Sequence, residues 1–179
     1  MYVRTMSAGS DAERLQASFA GIVRALGLFR PDTTPCGLPM SITEAHAISE
    51  LHAQGPGTQQ QLADALRLQK STVSRLIDEL ARSGLVERAP NPDDRRSHLI
   101  HLTTEGSARA GRLEDARRDL FERLLAGLTT TERRTIVVGI ARLEEATDAL
   151  ESLGARIHGE ERYQKPFRKS IQKTRKNHQ

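Results

Sequence analysis

The chain is poor in the residues that usually build a catalytic or disulfide-stapled protein. Cys36 is its single cysteine, which excludes an internal disulfide and fits a reducing, cytoplasmic setting. Tryptophan is absent and aromatics are 3% of the residues, so few large rings are available for a core. No apolar run approaches the roughly 20 residues that a membrane span requires, and no secretory pattern opens the sequence. A glycine-rich phosphate loop, a helical His-x-x-x-His pair and a Gly-x-Ser-x-Gly elbow are also missing. These absences leave no enzyme constellation, and neither catalytic residues, a bound metal nor a cofactor is expected.

One-sided charge is lacking too, once the chain is divided. The 179 residues carry a net charge of +4, but residues 156–179 hold 8 Lys/Arg against 2 Asp/Glu. The remaining 155 residues hold 19 against 21. A nearly neutral body means that any affinity for a polyanion must come from a local patch. That favours a specific reader over a nonspecific coating protein.

The local patch is found between residues 58 and 103. Thr58 and Gln61 have the spacing of a capping box and should start a short helix with an apolar edge at Leu62, Ala63 and Leu66. A second helix is predicted over residues 69–82. Its Val73, Leu76, Ile77 and Leu80 fall at i, i+3, i+4 and i+7 and should face inward. Gln69, Lys70, Ser71, Thr72, Ser74, Arg75 and Asp78 are left outside. Hydroxyls suit phosphates and base edges, glutamine can pair with adenine, and arginine with guanine or phosphate.

Gly84 should close this helix as a left-handed cap, and residues 86–88 and 98–102 read as short strands. The turn-rich run between them is too long for a two-residue hairpin and is predicted to form an extended wing. Arg95 and Arg96 near its tip are suited to a narrow, electronegative minor groove or its phosphates. Asp94 does not suit DNA and is expected to brace the wing by pairing with an arginine. Arg88, at the base, is placed to brace Asp94 or to meet a phosphate. A helix pair followed by a basic ribbon is a standard means of presenting one helix to the major groove.

These residues resemble the MarR family of bacterial regulators. The resemblance is carried by Thr-Val-Ser-Arg-Leu-Ile-Asp-Glu-Leu at residues 72–80, Gly-Leu-Val-Glu-Arg at 84–88, Asp94-x-Arg96 and Leu102-Thr103-x-x-Gly106. It covers roughly residues 11–153. It implies a mainly α fold: a winged helix-turn-helix DNA-binding domain with a small β-hairpin wing and dimerisation helices at both ends. Arg67 departs from the glycine usual in the inter-helix turn, and Gln69 from the usual Ser, Thr or Asp cap. The entry angle of the second helix is therefore not set by the resemblance.

The flanks fit this arrangement. Residues 1–10 lack periodicity and are read as a flexible arm. The domain spans 11–153, with 43–103 as the DNA-binding lobe and 11–29 and 104–153 as dimerisation helices. Thr43 is expected to cap the helix before the Gly55-Pro56-Gly57 stop, Thr103 to cap a long helix to about residue 126, and Thr129 with Glu132 to open the last. Leu15, Phe19 and Ile22 stripe the first helix, and Ile136, Ile140, Leu143 and Leu150 the last. This is more apolar surface than so small a domain buries alone, and a two-fold homodimer on a pseudo-palindromic operator is expected. Residues 154–179 are basic and polar, and are read as a disordered tail.

Function is thus read as sequence-specific regulation of transcription, with repression released by a small organic effector. The effector crevice would be bordered by loop 30–40 and the helix after it, and no membrane is involved. Three alternatives compete. An interaction module on the same fold would have lost specific DNA binding, against which the basic residues of both groove-facing elements stand. A zinc-responsive regulator would draw on Cys36, Glu44, His46 and His52, but the two histidines lie on different helix faces. A peroxide-responsive one would use Cys36, which lacks an identifiable activating partner. No sequence feature places Cys36 beside His46 or His52.

Overall fold

The computed structural model describes residues 10–94 and 96–157, with side chains described to residue 150. Residues 1–9, Arg95 and residues 158–179, and with them most of the expected arm and tail, lie outside the described residues.

Local capping chemistry starts most of the helices. Helix α1, Asp11–Ala25, opens at Ser10, whose hydroxyl accepts the Glu13 N–H while the Glu13 carboxylate accepts the Ser10 N–H. Ser10, expected in the arm, is therefore the first cap. Helix α2, Ile42–Gln54, is capped by Ser41 and not by Thr43. The reason is reciprocal: Ser41 has Glu44 three residues on, so two otherwise orphaned N–H groups are satisfied together. Gly55 ends α2 at φ +83°.

Strand β1, Gly57–Thr58, leads into α3, Gln59–Leu66, capped by Thr58 and Gln61 as expected. Helix α4, Lys70–Arg82, follows a turn at Arg67, and Gly84 then reverses the chain at φ +69°. Strands β2, Val86–Pro90, and β3, His98–Leu102, form the wing, after which come α5, Thr104–Ala126, and α6, Thr130–Ile157. Helix α6 thus passes the boundary expected at residue 153.

The sheet is antiparallel in the order β1-β3-β2. Strand β2 reaches Pro90, two residues further than expected. It is an edge strand, where a missing N–H is tolerated. Strand β1 pairs Gly57 with Ile100 and Thr58 with Leu99, so the wing is anchored to the start of α3.

The core gathers on α4. Val73, Leu76, Ile77 and Leu80 are all buried, in one cluster with Ile48, Leu62, Val86, Ile100 and Leu113. Full burial contributes about 1.5–3 kcal/mol per large aliphatic side chain, so this seam fixes which face of α4 points out. The end helices behave oppositely. Helix α1 has no buried residue, and Leu15, Phe19 and Ile22 are each at least half exposed. Over residues 130–150 of α6 only Leu143 and Asp148 are not exposed.

Candidate nucleic-acid interface

With its apolar seam locked inward, α4 presents Lys70, Ser71, Thr72 and Arg75 to the outside, with Gln69 exposed at the cap and Ser74 half-buried. Gln69 makes no side-chain cap bond. The partial positive charge of the first turn of α4 is therefore not offset by a side-chain cap at Gln69. The start of α4 is held instead from the preceding helix, where Gln59 Nε2 donates to the Lys70 carbonyl at 2.9 Å.

Among the described residues, the wing is braced through its main chain. Asp94 Oδ1 accepts the Arg96 backbone N–H at 3.0 Å, so Asp94 shapes the tip through the main chain and not through a described arginine side chain. Its carbonyl accepts from Ser97 N at 3.0 Å, and Asn91 Nδ2 reaches Ser97 Oγ at 2.8 Å across the loop. The Arg96 residue is exposed. Arg88 does not reach Asp94. Its Nη2 lies 2.6 Å from Asp78 Oδ1, which joins β2 to the outer face of α4.

The Leu102-Thr103-x-x-Gly106 segment has a packing role. Thr103 Oγ1 accepts the Gly106 N–H at 3.0 Å, capping α5, and donates to the Gly84 carbonyl at 2.7 Å. A Cβ on Gly106 would stand 1.9 Å from the Leu85 carbonyl oxygen. Only glycine allows α5 to leave the wing so close to the end of α4.

A pocket of about 180 Å³ lies behind the lobe, lined by Leu26, Leu28, Thr34, Pro35, Cys36, Ile42, Ala45, His46, Arg117, Leu120 and Phe121. Loop 30–40, α2 and α5 all contribute to its walls. It brings Cys36 and His46 to one cavity, a juxtaposition no local pattern indicated. Thr34 Oγ1 and Cys36 Sγ are 3.2 Å apart. Arg117 Nη1 donates to Ser49 Oγ at 2.7 Å. Partial burial, with the Arg117 charge beside it, lowers the pKa of His46 and so favours the neutral ring. Of the other proposed metal ligands, Glu44 is engaged in its helix cap and His52 is exposed.

Residues 40–98 match the model of the MarR family. The chain is 30% identical over 96 residues to YkoM, an HTH-type transcriptional regulator of Bacillus subtilis, covering 54% of this chain and 62% of that one. Among solved structures, a probable transcriptional regulator from Pseudomonas aeruginosa aligns at TM-score 0.58 and 28% identity, over 74% of this chain and 97% of the other. FabT of Streptococcus pneumoniae, solved in complex with DNA, aligns at TM-score 0.62 and 23% identity, over 78% and 96%. The match to the MarR family thus covers residues 40–98, within a fold that these solved structures share over about three-quarters of the chain.

The chain spans about three-fifths of the length of the curated relatives it matches. Within this winged-helix fold, two contacts and one backbone conformation were not read from the sequence. Asp78 appeared only as an outward residue, yet it holds Arg88. Gln59 binds the first carbonyl of α4. Arg67 takes the left-handed conformation at φ 56° and ψ 41°. The last was signalled by its place in the motif, where the family has glycine.

Proposed function

We propose that this chain is a MarR-family regulator of transcription: a homodimer that binds double-stranded DNA sequence-specifically, acting as a repressor released by a small organic ligand. The observation that carries the reading is the outer face of α4. Exposed amide, hydroxyl and cationic side chains stand on a helix whose other face is wholly buried, beside a wing that carries Arg96. In this reading Gln69, Lys70, Ser71, Thr72, Ser74 and Arg75 address the major groove, and Arg95 and Arg96 the minor groove or its phosphates. Arg88 is shared between Asp78 and a phosphate.

The division of labour along the chain is part of the proposal. Residues 43–103 form the DNA-binding lobe, and 11–29 with 104–153 the dimerisation helices. The support is apolar surface: Leu15, Phe19 and Ile22 of α1, Phe121 and Leu124 of α5, and residues 136–138 and Ile140 of α6 are between 44% and 58% exposed. Apolar surface on that scale marks an interaction site. A two-fold partner would set two α4 helices about one DNA turn apart. The effector proposal rests on the pocket, whose apolar walls and single guanidinium suit a small organic anion.

A gel shift with the duplex upstream of the chain's own gene tests this reading. The wild type should retard that duplex at lower concentration than a scrambled one, and Arg75→Ala with Arg96→Ala should abolish the shift. Equal retardation of both duplexes, or none with a folded dimer, would favour an interaction module.

A further inference from the structure

Arg67 is the one residue other than glycine with positive φ among the described residues. Side chains rarely adopt that conformation, and glycine takes it freely. The turn geometry itself therefore does not call for arginine. What arginine adds is reach. Arg67 Nη2 lies 2.9 Å from Asp148 Oδ1, 81 positions along the chain in α6.

The far end of that contact is unusual within its helix. Asp148 and Leu143 are the α6 residues between 130 and 150 that are not exposed, so the ion pair sits where a nearly bare helix meets the lobe. Glu144 precedes Asp148 by one helical turn and adds a second acid to the same face. At the near end the turn is tight. Arg67 N donates to the carbonyls of Ala63 and Asp64, and Leu68 N to Ala63 O at 3.0 Å. Lys70, where α4 begins, follows three residues after Arg67 and is held from the other side by Gln59.

We propose that Arg67 is a positioning residue. By gripping Asp148 it fixes the α3–α4 turn to α6, so the angle at which α4 leaves the lobe follows the placement of the terminal helix. The inference rests on the DNA-binding reading for its consequence, but not for its mechanics. The competing role for an exposed arginine at this turn is a direct phosphate contact, and the two differ in sign. Asp148→Asn removes a negative charge. If Arg67 were a phosphate ligand merely shared with Asp148, that change would tighten DNA binding. As a strut, its loss loosens the turn and weakens binding.

Hydrogen exchange on the full chain tests the mechanics. In Asp148→Asn the amides of residues 67–73 should exchange about two- to fivefold faster than in wild type, the range that loss of a half-exposed ion pair supports. Amides of β3 and the melting midpoint should stay unchanged. Asp148→Glu, and the exchanged pair Arg67→Asp with Asp148→Arg, should restore slow exchange. Binding is read on a duplex selected from a random pool by the wild type, where Asp148→Asn should bind about two- to fivefold more weakly and the exchanged pair should recover. Unchanged exchange at 67–73, uniform acceleration everywhere, or tighter binding by Asp148→Asn would overturn the proposal. If the wild type selects no duplex, the DNA-binding reading fails, while the exchange measurement still decides the strut.

Discussion

Arg88 Nη2 and Asp78 Oδ1 meet at 2.6 Å, so the first strand of the wing is tied to the outer face of α4. The pair joins α4 to the wing, and one cation of the candidate interface is held by an acid of the same face. Their side chains are 38% and 52% exposed, and an ion pair that wet contributes at most about 1 kcal/mol. Its role is orientation more than stability. Asp78→Ala should cost less than about 1 kcal/mol in a urea titration. It should also raise affinity for random duplex at low salt, because it removes an acid and frees Arg88. A loss of stability well beyond that, or weaker binding, would show that the pair is structural in another way.

Gly106 makes a sharper stability prediction. Gly106→Ala sets a methyl group 1.9 Å from the backbone oxygen of Leu85, which has no side-chain freedom to yield. The cost should reach about 3 kcal/mol, the upper end for an overpacked site. Gly111→Ala, on the same helix with open space around its Cβ position, should be neutral or stabilising. Denaturant midpoints of the two variants compare them directly.

His46 gives a pH dependence with a definite sign. Its pKa is lowered in the folded chain by burial and by Arg117, while the unfolded chain titrates at the ordinary histidine value near 6.5. Between the two, the unfolded state binds a proton that the folded state does not. Stability is thus fully present above the ordinary value and is lost as pH falls through the lowered one. His46→Gln should reduce the fall in melting temperature between about pH 7 and pH 5.5. An identical fall in both proteins would mean that His46 titrates normally.

Much of this fold is legible in the sequence because its determinants are local. Thr58 with Gln61, and the inward set Val73, Leu76, Ile77 and Leu80, are set by helix geometry within a few residues. The cap of α2 is local too, but Ser41 and Thr43 compete for it, and the carboxylate of Glu44 decides for Ser41. Strand β1 is not legible, since its two residues become a strand only by pairing with Leu99 and Ile100. The outward residues of α4 followed from its periodicity, whereas Asp78–Arg88 and Arg67–Asp148 depend on how separate elements pack. The same holds for the meeting of Cys36, His46 and Arg117 in one pocket.

The wing and α4 should separate by their dependence on sequence and salt. Arg96 sits on an exposed tip and should supply mainly electrostatic affinity. Arg96→Ala should weaken selected and random duplex alike and lower the log–log salt slope by about one unit. Arg75 is exposed on α4, and Arg75→Ala should cost about 1–3 kcal/mol on the selected duplex and much less on random sequence. Equal losses on both would make Arg75 a phosphate anchor and pass base reading to Gln69, Ser71, Thr72 and Ser74.

The central claim is that two copies of this chain read one duplex through paired α4 helices. The most direct measurement is selection of duplexes from a random pool by the purified full chain, with the mass of the protein–DNA complex taken by light scattering. The account predicts enrichment of an inverted repeat with half-sites about one helical turn apart, bound by two chains of 19.8 kDa each. A pool that stays random after repeated rounds, or a single chain on a single half-site, would contradict it.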